Sequence, residues 1–280
     1  MTAVPADARI ALLVSDVDGT LVTDDKRLTD AVIAAAARLG KAGVRLSLVS
    51  SRPPMGFAAL SGTLRLEAPL GAFNGGVIVD SALSVLEQVL VPEGDAAVAL
   101  AAFAEFGLDA WLFSPERWFA TNPNGALVPK ERMTISADPV IVADFGALLG
   151  RVGKLVGSSH RHDSVAACEA ALAERLGPDA VARRSQPYYL DVTPAGSDKG
   201  RAVRRIAEIL RVPIDEVAVI GDMSNDLPMF EVAPFRIAMG NATDEVKRMA
   251  DFVTTSNEAS GFAQAVDRFI LPRARTRTPA

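Results

Sequence analysis

Short apolar runs that each lead into a helical pattern recur near both ends of this 280-residue chain. The clearest are IALLVS at residues 10–15, VRLSLVS at 44–50 and VAVIGD at 217–222. Continuous apolar runs of this length are typical of strands that are buried on both faces of a sheet. Repeated strand–helix units predict a parallel sheet with helices on both faces, which places the chain in the α/β class.

The middle of the chain has a different character. After about residue 84 the aromatic residues gather, and alternating, turn-bounded stretches are interleaved with helical ones, a mixture typical of an α+β unit with antiparallel strands. From about residue 191 the strand–helix rhythm returns. We therefore predict a doubly wound, mostly parallel, Rossmann-like core from residues 1–84 and 191–272, with an inserted α+β domain (the insert) at 85–190. Residues 273–280 are predicted to form a flexible tail.

The amino-acid composition indicates which kinds of partner the protein can bind and which cell compartment it suits. The chain carries 29 Lys and Arg against 34 Asp and Glu, a net charge of -5, whereas dedicated nucleic-acid and anionic-membrane binders depend on basic patches. We find neither a signal peptide nor an uncharged apolar stretch of about 18 residues, so no membrane association is predicted. The single cysteine, Cys168, excludes an internal disulfide and favours the cytoplasm. The oligomeric state is not indicated by the sequence.

Four polar signals follow or adjoin the predicted core strands: DVD at 16–18, SSRP at 50–53, Lys199 and GDMSND at 221–226. Ligands of doubly wound sheets bind outside the carboxyl ends of the strands. Asp16 and Asp18 are two apart, so in extended chain their side chains point the same way, and we expect Asp222 to join them. Three hard carboxylate ligands of this kind suit Mg²⁺.

The same residue types fit phosphoryl transfer, which needs an in-line nucleophile, neutralised charge and a proton for the leaving group. Asp16 can be the nucleophile, and Asp18 can be the general acid and then the base. Ser50 can donate to a phosphate oxygen, and Lys199 can supply positive charge. Gly19 lets the backbone turn closely past the phosphate.

Each signal alone is also typical of a helix cap or a turn, and their ordered occurrence is what favours function. His160 and His162 lack a third metal-ligand partner nearby, so a solvated loop is the favoured interpretation. The chain contains no G-x-S-x-G, no P-loop and no G-x-G-x-x-G, which leaves serine-hydrolase, P-loop and dinucleotide-binding functions without support.

The ordered motifs DVDGTL, SSR, SDKG and GDMSND resemble the four motifs of the haloacid dehalogenase superfamily of phosphohydrolases. The large insert between the second and third motifs resembles the C2B cap of the Cof-type subfamily, as does NGG at residues 74–76. The resemblance covers nearly the whole chain. It implies a small-molecule phosphate ester as the partner and a cap that swings over the core.

The resemblance also implies roles for individual residues. Asp16 is the implied nucleophile and Asp18 the implied acid and base. Mg²⁺ would be held by Asp16, the backbone carbonyl of Asp18 and Asp222, while Ser50 and Lys199 would grip the phosphate.

Further motif positions follow from the same resemblance. Asn225 would lie near the metal or phosphate, and Asp226 would support the metal ligands from behind. The motif residues expected to contact the substrate include Ser51, Arg52, Asn74 and Gly75.

Two departures from the family pattern are visible: SSR stands where Thr-Gly-Arg is common, and Met223 stands where glycine is common. A serine hydroxyl at Ser50 does the same work as a threonine.

The predicted function is a Mg²⁺-dependent phosphatase that hydrolyses small phosphomonoesters through an aspartyl-phosphate. Sugar phosphates are the favoured substrates, followed by phosphorylated cofactors such as pyridoxal phosphate or flavin mononucleotide. Two alternatives stay open: a phosphomutase of the phosphomannomutase type, and a non-catalytic phospholigand sensor. Arg183, Arg184, Tyr188 and Tyr189 lie near the return to the core and are as compatible with packing as with contact to a leaving group.

Overall fold

The computed structural model describes residues 9–274, which form two compact units. The core unit comprises the described residues up to Ser51, Ala58–Leu86 and those from Asp198 onward. The insert unit comprises Arg52–Phe57 and Glu87–Ser197. None of the helices within the described range combines the length and apolarity needed to cross a bilayer.

The first core segment contains β1 and β2 of the main sheet and a small three-stranded sheet in the order β3-β4-β5. Thr29 caps α1, its hydroxyl accepting a hydrogen bond from the Val32 amide at 3.3 Å, and the left-handed Gly43 follows the helix. The elements of this segment are β1 (Leu12–Ser15), α1 (Asp30–Lys41), β2 (Arg45–Leu48), α2 (Ala58–Leu64), β3 (Leu70–Ala72), β4 (Val77–Val79) and β5 (Val85–Gln88).

The insert contains a six-stranded sheet in the order β10-β11-β9-β6-β7-β8, antiparallel except for the β7–β8 pair. Its elements are α3 (Glu93–Phe106), β6 (Asp109–Phe113), β7 (Trp118–Ala120), α4 (Val128–Ile135), β8 (Val140–Ile141), β9 (Lys154–Ser158), α5 (His162–Arg175), β10 (Ala180–Gln186) and β11 (Tyr189–Pro194). Side chains of α3 and α5 share one apolar cluster with β6, β9 and β11, and Cys168 is fully buried in it. Mainly antiparallel pairing, with α3 and α5 packed against the sheet, makes the insert an α+β unit, as the sequence indicates.

The second core segment restores the strand–helix alternation. Its elements are α6 (Lys199–Leu210), β12 (Val217–Gly221), α7 (Leu227–Val232), β13 (Phe235–Ala238), α8 (Asp244–Met249), β14 (Phe252–Val253) and α9 (Gly261–Ala265). The main sheet runs β14-β13-β12-β1-β2 with every pair parallel. Every residue of β1 and β12 is buried, as expected for strands covered on both faces, and the predicted α/β class is confirmed.

The domain bounds differ in several places from those drawn on the sequence. Arg52–Phe57 fall within the predicted core segment 1–84 but belong to the insert unit, and that unit resumes at Glu87 rather than at residue 85. The insert was expected at 85–190 but extends to Ser197, because β11 pairs with β9 and belongs to the insert sheet. The expected tail at 273–280 begins with ordered residues: Arg273 accepts a backbone hydrogen bond from Ile10 at 2.9 Å, and Ala274 forms a bridge with Ile10. The rest of the predicted tail, residues 275–280, lies outside the described part of the chain.

Candidate active site

The site is built where three neighbouring parallel strands end. Ser15 at the end of β1 is in register with Ile220 of β12 and Leu48 of β2. The residues that follow these strands therefore emerge at the same edge of the sheet, although they are up to about two hundred positions apart in the chain. This register brings Asp16 and Asp222 together, with Ser50 at the end of the third strand.

Lys199 lies at the centre of the buried charges. It begins α6, and its side chain is 1% exposed. Its Nζ lies 2.5 Å from Asp16 Oδ1 and also donates to Asp226 Oδ1. A cation in the first turn of a helix is disfavoured by the helix dipole, and these two carboxylates offset that cost.

Asp226 holds the loop after β12 in place. Its side chain is fully buried, and its Oδ2 accepts hydrogen bonds from the Asp222 amide at 2.8 Å and the Met223 amide at 2.9 Å. With Oδ1 bonded to Lys199, both oxygens of this carboxylate are used within the protein. Asp226 therefore sets the path of the loop that carries Asp222.

Asp222 is buried beside the loop that follows β1. Its Oδ1 accepts a hydrogen bond from the Thr20 hydroxyl at 3.3 Å. Gly19 has φ +84°, and a Cβ added there would lie 2.3 Å from Asp222 Oδ2. A glycine is needed at this position because the carboxylate occupies the space that a side chain would fill.

The buried charges are unbalanced, because one ammonium group faces three carboxylates. Burial raises the pKa of Asp16, an effect that the Lys199 charge opposes and that Asp226 and Asp222 reinforce. Burial, followed by the charge of Asp226, raises the pKa of Asp222 to about 6. Although burial acts in the opposite direction, Asp16 and Asp226 raise the pKa of Lys199 above its usual value, so this lysine stays protonated.

This donor set fits Mg²⁺. Asp16, Asp222 and Asp226 each offer a carboxylate oxygen within 4.8 Å of the others, and oxygen is the ligand that this ion prefers. Asp226 is held by Lys199 and by two backbone amides at 2.8 and 2.9 Å, whereas the Thr20 hydroxyl lies at 3.3 Å from Asp222, so Asp16 and Asp222 are the side chains better suited to hold the ion. A divalent cation would also offset the surplus negative charge of the cluster.

The Asp18 side chain is not part of this carboxylate group. The expectation that it shares a side with Asp16 assumed extended chain, but β1 ends at Ser15 and a turn follows, with the Leu21 amide donating to the Val17 carbonyl at 2.9 Å. Asp18 instead forms an ion pair with Lys26 at 2.8 Å. Its negative charge still contributes to the raised pKa of Asp222.

Lys26 was not singled out from the sequence. It occupies a left-handed position, φ 65°, in the polar turn TDDKR that follows DVDGTL. The turn is closed by hydrogen bonds from the Lys26 amide to the Thr23 carbonyl at 2.9 Å and from the Thr23 amide to the Arg27 carbonyl at 3.1 Å. A lysine in a polar turn close to a candidate acid is the signal that could have identified it.

The second motif is connected to the fourth through Asn74. Ser50 is 1% exposed, and its carbonyl accepts a hydrogen bond from the backbone N–H of Asn74 at 2.8 Å. The Asn74 Oδ1 accepts one from Asn225 Nδ2 at 3.3 Å. These bonds place three predicted site residues in one hydrogen-bonded series.

The turn that carries Asn74 has a costly backbone. Phe73, Asn74 and Gly75 have φ of 49°, 54° and 99° in succession, and a left-handed phenylalanine is a rare conformation. A Cβ added to Gly75 would lie 2.5 Å from the Asp198 carbonyl oxygen, and Arg201 donates to the Gly75 carbonyl. Gly75 thus contacts the start of α6 through its backbone. Strain of this kind is often found at functional sites.

Ser51 and Arg52 differ from their neighbours in the motif. Ser51 is half-buried at the end of its core segment, whereas Arg52 belongs to the insert unit. The Arg52 guanidinium donates to the Gly56 carbonyl at 3.4 Å within that unit.

Candidate residues of the insert are placed as follows. His160 and His162 are exposed at the start of α5, as expected for a solvated loop. The exposed Arg184 pairs with Glu169, and Tyr189 packs edge-on against Trp111 at 5.4 Å between ring centroids. The other residues near the return to the core are Arg183, which is exposed, and Tyr188, which lies edge-on to the Tyr189 ring.

Known proteins resemble this chain over nearly its full length. A family model described as haloacid dehalogenase-like hydrolase matches residues 13–266. The 5-amino-6-(5-phospho-D-ribitylamino)uracil phosphatase YwtE of Bacillus subtilis is 29% identical, with 91% of this chain and 96% of that protein covered. The pyridoxal phosphate phosphatase YbhA of Escherichia coli is 26% identical, with 90% and 95% covered. A crystal structure of a haloacid dehalogenase-like hydrolase from Bacteroides thetaiotaomicron superimposes with a TM-score of 0.87 at 28% identity, covering 93% of this chain and 99% of that one.

Proposed function

The chain belongs to the haloacid dehalogenase-like hydrolases and is a phosphatase of the Cof type, and from this premise we propose its substrates, its cofactor and its mechanism. It hydrolyses small phosphomonoesters with Mg²⁺ as cofactor and passes through a phosphate ester of Asp16. The observation that carries the proposal is the buried group of Asp16, Lys199, Asp222 and Asp226 at the carboxyl ends of β1 and β12.

Asp16 is the proposed nucleophile. One of its carboxylate oxygens attacks phosphorus and forms an acyl phosphate while the ester oxygen departs. Lys199 holds Asp16 in a fixed orientation through the 2.5 Å contact, and its retained proton lets it offset charge on the phosphoryl oxygens. Ser50, buried at the end of β2, donates to one of those oxygens.

Asp18 is the proposed acid and base. It gives its proton to the departing ester oxygen, and the alcohol product leaves. It then takes a proton from a water molecule whose oxygen attacks phosphorus, which breaks the bond to Asp16 and releases inorganic phosphate. The Asp18 side chain is 29% exposed, so solvent water reaches it.

Asp16, Asp222 and the backbone carbonyl of Asp18 are the proposed holders of Mg²⁺. When bound, the ion would neutralise charge on the phosphoryl oxygens and help to orient the phosphoryl group for attack by Asp16. The cluster supports this assignment because its carboxylates exceed its cations.

The proposed substrate class is a small phosphorylated sugar or cofactor. Relatives that cover nearly all of the chain are named as phosphatases of a phosphoribitylamino-uracil and of pyridoxal phosphate, which are both small phosphomonoesters. The cytoplasm is the proposed compartment, supported by the single cysteine, which is buried and forms no disulfide.

The test is phosphate release from p-nitrophenyl phosphate and a panel of sugar and cofactor phosphomonoesters, with Mg²⁺ or with EDTA. We expect release that depends on Mg²⁺ and is abolished by Asp16→Asn, which keeps the shape of the side chain but weakens the nucleophile. Asp25→Asn makes the same chemical change at an exposed residue nearby and is the matched control.

Folded native protein that releases no phosphate from any ester in the panel would refute the proposed activity. Release that persists in Asp16→Asn would instead refute the assignment of the nucleophile. Chromatography of the sugar products separates hydrolysis from transfer of the phosphate within the sugar, which a mutase would perform.

A further inference from the structure

Asn241 lies beside the carboxylate cluster, and none of the four motifs contains it. It follows β13, the neighbour of β12 in the sheet. The backbone before it is held on both sides: the Met239 amide donates to the Gly221 carbonyl at 3.0 Å, and the Gly240 amide donates to the Thr255 carbonyl at 3.0 Å. The position of Asn241 is therefore set by two neighbouring loops.

The amide group of Asn241 connects the two loops that carry the proposed metal ligands. Its Nδ2 lies 2.8 Å from the Gly19 carbonyl oxygen, in the loop after β1. The same nitrogen lies 3.3 Å from Asp222 Oδ2, in the loop after β12. A side-chain amide has two N–H donors, and each acceptor here takes one of them.

The other end of the amide fixes its orientation. Asn241 Oδ1 accepts a hydrogen bond from the backbone N–H of Asn257 at 3.0 Å. A flipped side chain would place its oxygen against two oxygen acceptors and its NH₂ group against an N–H donor. The bonding pattern therefore allows one orientation, in which the donors face Gly19 and Asp222.

Asn257 continues the connection to the first motif. Its side chain is buried, and Nδ2 donates to the Val22 carbonyl at 3.2 Å and to Asp24 Oδ1 at 3.0 Å. The two asparagines thus join four segments of the core, which follow β1, β12, β13 and β14.

The need for such a connection comes from repulsion within the cluster. Asp16, Asp222 and Asp226 each place a carboxylate oxygen within 4.8 Å of the others, so an ionised Asp222 gains by moving away from its neighbours. A neutral amide donor opposes that movement and adds no positive charge, whereas a lysine or arginine there would compete with a bound cation.

We infer that Asn241 is a positioning residue that holds Asp222 at the separation from the Gly19 loop at which the site binds a divalent cation. The inference rests on the proposed Mg²⁺ site. Residues that orient metal ligands from behind commonly change metal affinity by about 10- to 100-fold when they are replaced. Because Asn241 is exposed, we expect an effect at the lower end of that range.

The test is isothermal titration of the full-length, metal-free protein with MgCl₂. We expect Asn241→Ala to weaken the dissociation constant for Mg²⁺ about tenfold while the protein stays folded by circular dichroism. Asn122→Ala is the matched control, since Asn122 Nδ2 also donates to a carboxylate, Asp109, at 2.9 Å, but in the insert. The control is expected to bind Mg²⁺ as the native protein does.

The outcomes separate this inference from the proposed function. If native protein binds Mg²⁺ and folded Asn241→Ala binds it within twofold as tightly, the role of Asn241 is refuted and the proposed function stands. If native protein binds no Mg²⁺, both are refuted. Should Asn241→Ala fail to fold, the same titration on Asn241→Ser decides, because serine is polar but too short to join both acceptors.

Discussion

Replacing Lys199 with methionine would keep an unbranched side chain and remove the buried ammonium group. Lys199 is 1% exposed and contacts Asp16 and Asp226, which are themselves 6% and 0% exposed as side chains. The variant therefore leaves two buried carboxylates without their cation. We expect it to be strongly destabilised, and to a degree that depends on pH.

The magnitude follows from the burial of these groups. Removing one partner of a buried ion pair costs about 3–5 kcal/mol of unfolding free energy, because the remaining charge is left uncompensated. Asp16 can relieve part of this cost by taking up a proton. Burial already raises its pKa, and loss of the Lys199 charge that opposes this raises the pKa further, so the folded variant binds more protons than the unfolded chain and its stability falls as the pH rises. The full cost is expected near pH 8 and a smaller one near pH 5.

Urea unfolding at both pH values, in EDTA, measures this cost. Lys26→Met is the matched control, because Lys26 contacts Asp18 at 2.8 Å in the same unit, yet both side chains are about one third exposed, at 35% and 29%. Solvent screens such a pair, so its loss is expected to cost under about 1 kcal/mol.

Two results would contradict this reasoning. One is a Lys199→Met variant that loses no more stability at pH 8 than Lys26→Met does. The other is a loss of equal size at pH 5 and pH 8, since protonation of the carboxyl group left without its cation would then play no part.

Three further predictions concern neighbouring features. Gly19→Ala should abolish most Mg²⁺ binding in calorimetry, because the added Cβ would lie 2.3 Å from Asp222 Oδ2. Gly196→Ala, at φ +73° with no atom within 4 Å of the added Cβ, should leave Mg²⁺ binding unchanged, and equal effects of the two substitutions would mean that backbone strain alone is responsible. Mg²⁺ affinity should rise between about pH 5.5 and pH 8.5, because the raised pKa values of Asp16 and Asp222 make the ion compete with protons, and titrations in two buffers should detect the released protons. Burial raises the pKa of Cys168 to about 11, so its reaction with Ellman's reagent at pH 8 should be far slower in native protein than in urea, and equal rates would mean that the helix is not packed as described.

Much of the core could be predicted from the sequence because its signals are local. An apolar run such as IALLVS is buried on both faces wherever it pairs in a parallel sheet, and Thr29 begins α1 through a bond to a residue three positions away. The end of the insert could not be predicted in this way. It depends on the pairing of β11 with β9, and pairing between strands some thirty residues apart leaves no mark at the boundary itself.

The site residues divide along the same line. Asp16 and Asp222 follow apolar runs, so a parallel sheet places them together whatever the details of the loops. Asn241 bonds to Gly19, which is 222 positions away in the sequence, and to Asp222, which is 19 positions away. Nothing near Asn241 in the chain indicates either partner. Lys26 reaches Asp18 through a left-handed turn, which the sequence does not reveal at a lysine.

The roles of side chains in the insert are harder to predict from sequence, for a related physical reason. In an antiparallel strand the side chains alternate, so the pattern of β11 separates Leu190 and Val192 from Tyr189 and Asp191 without saying what each face meets. The structure shows that Leu190 and Val192 join the apolar cluster with α3 and α5. Tyr189 packs instead on Trp111, and the buried Asp191 pairs with a lysine of β9 at 3.5 Å. A parallel sheet fixes the position of its strand ends, whereas the role of the β11 face that carries Tyr189 depends on contacts that the strand sequence does not encode.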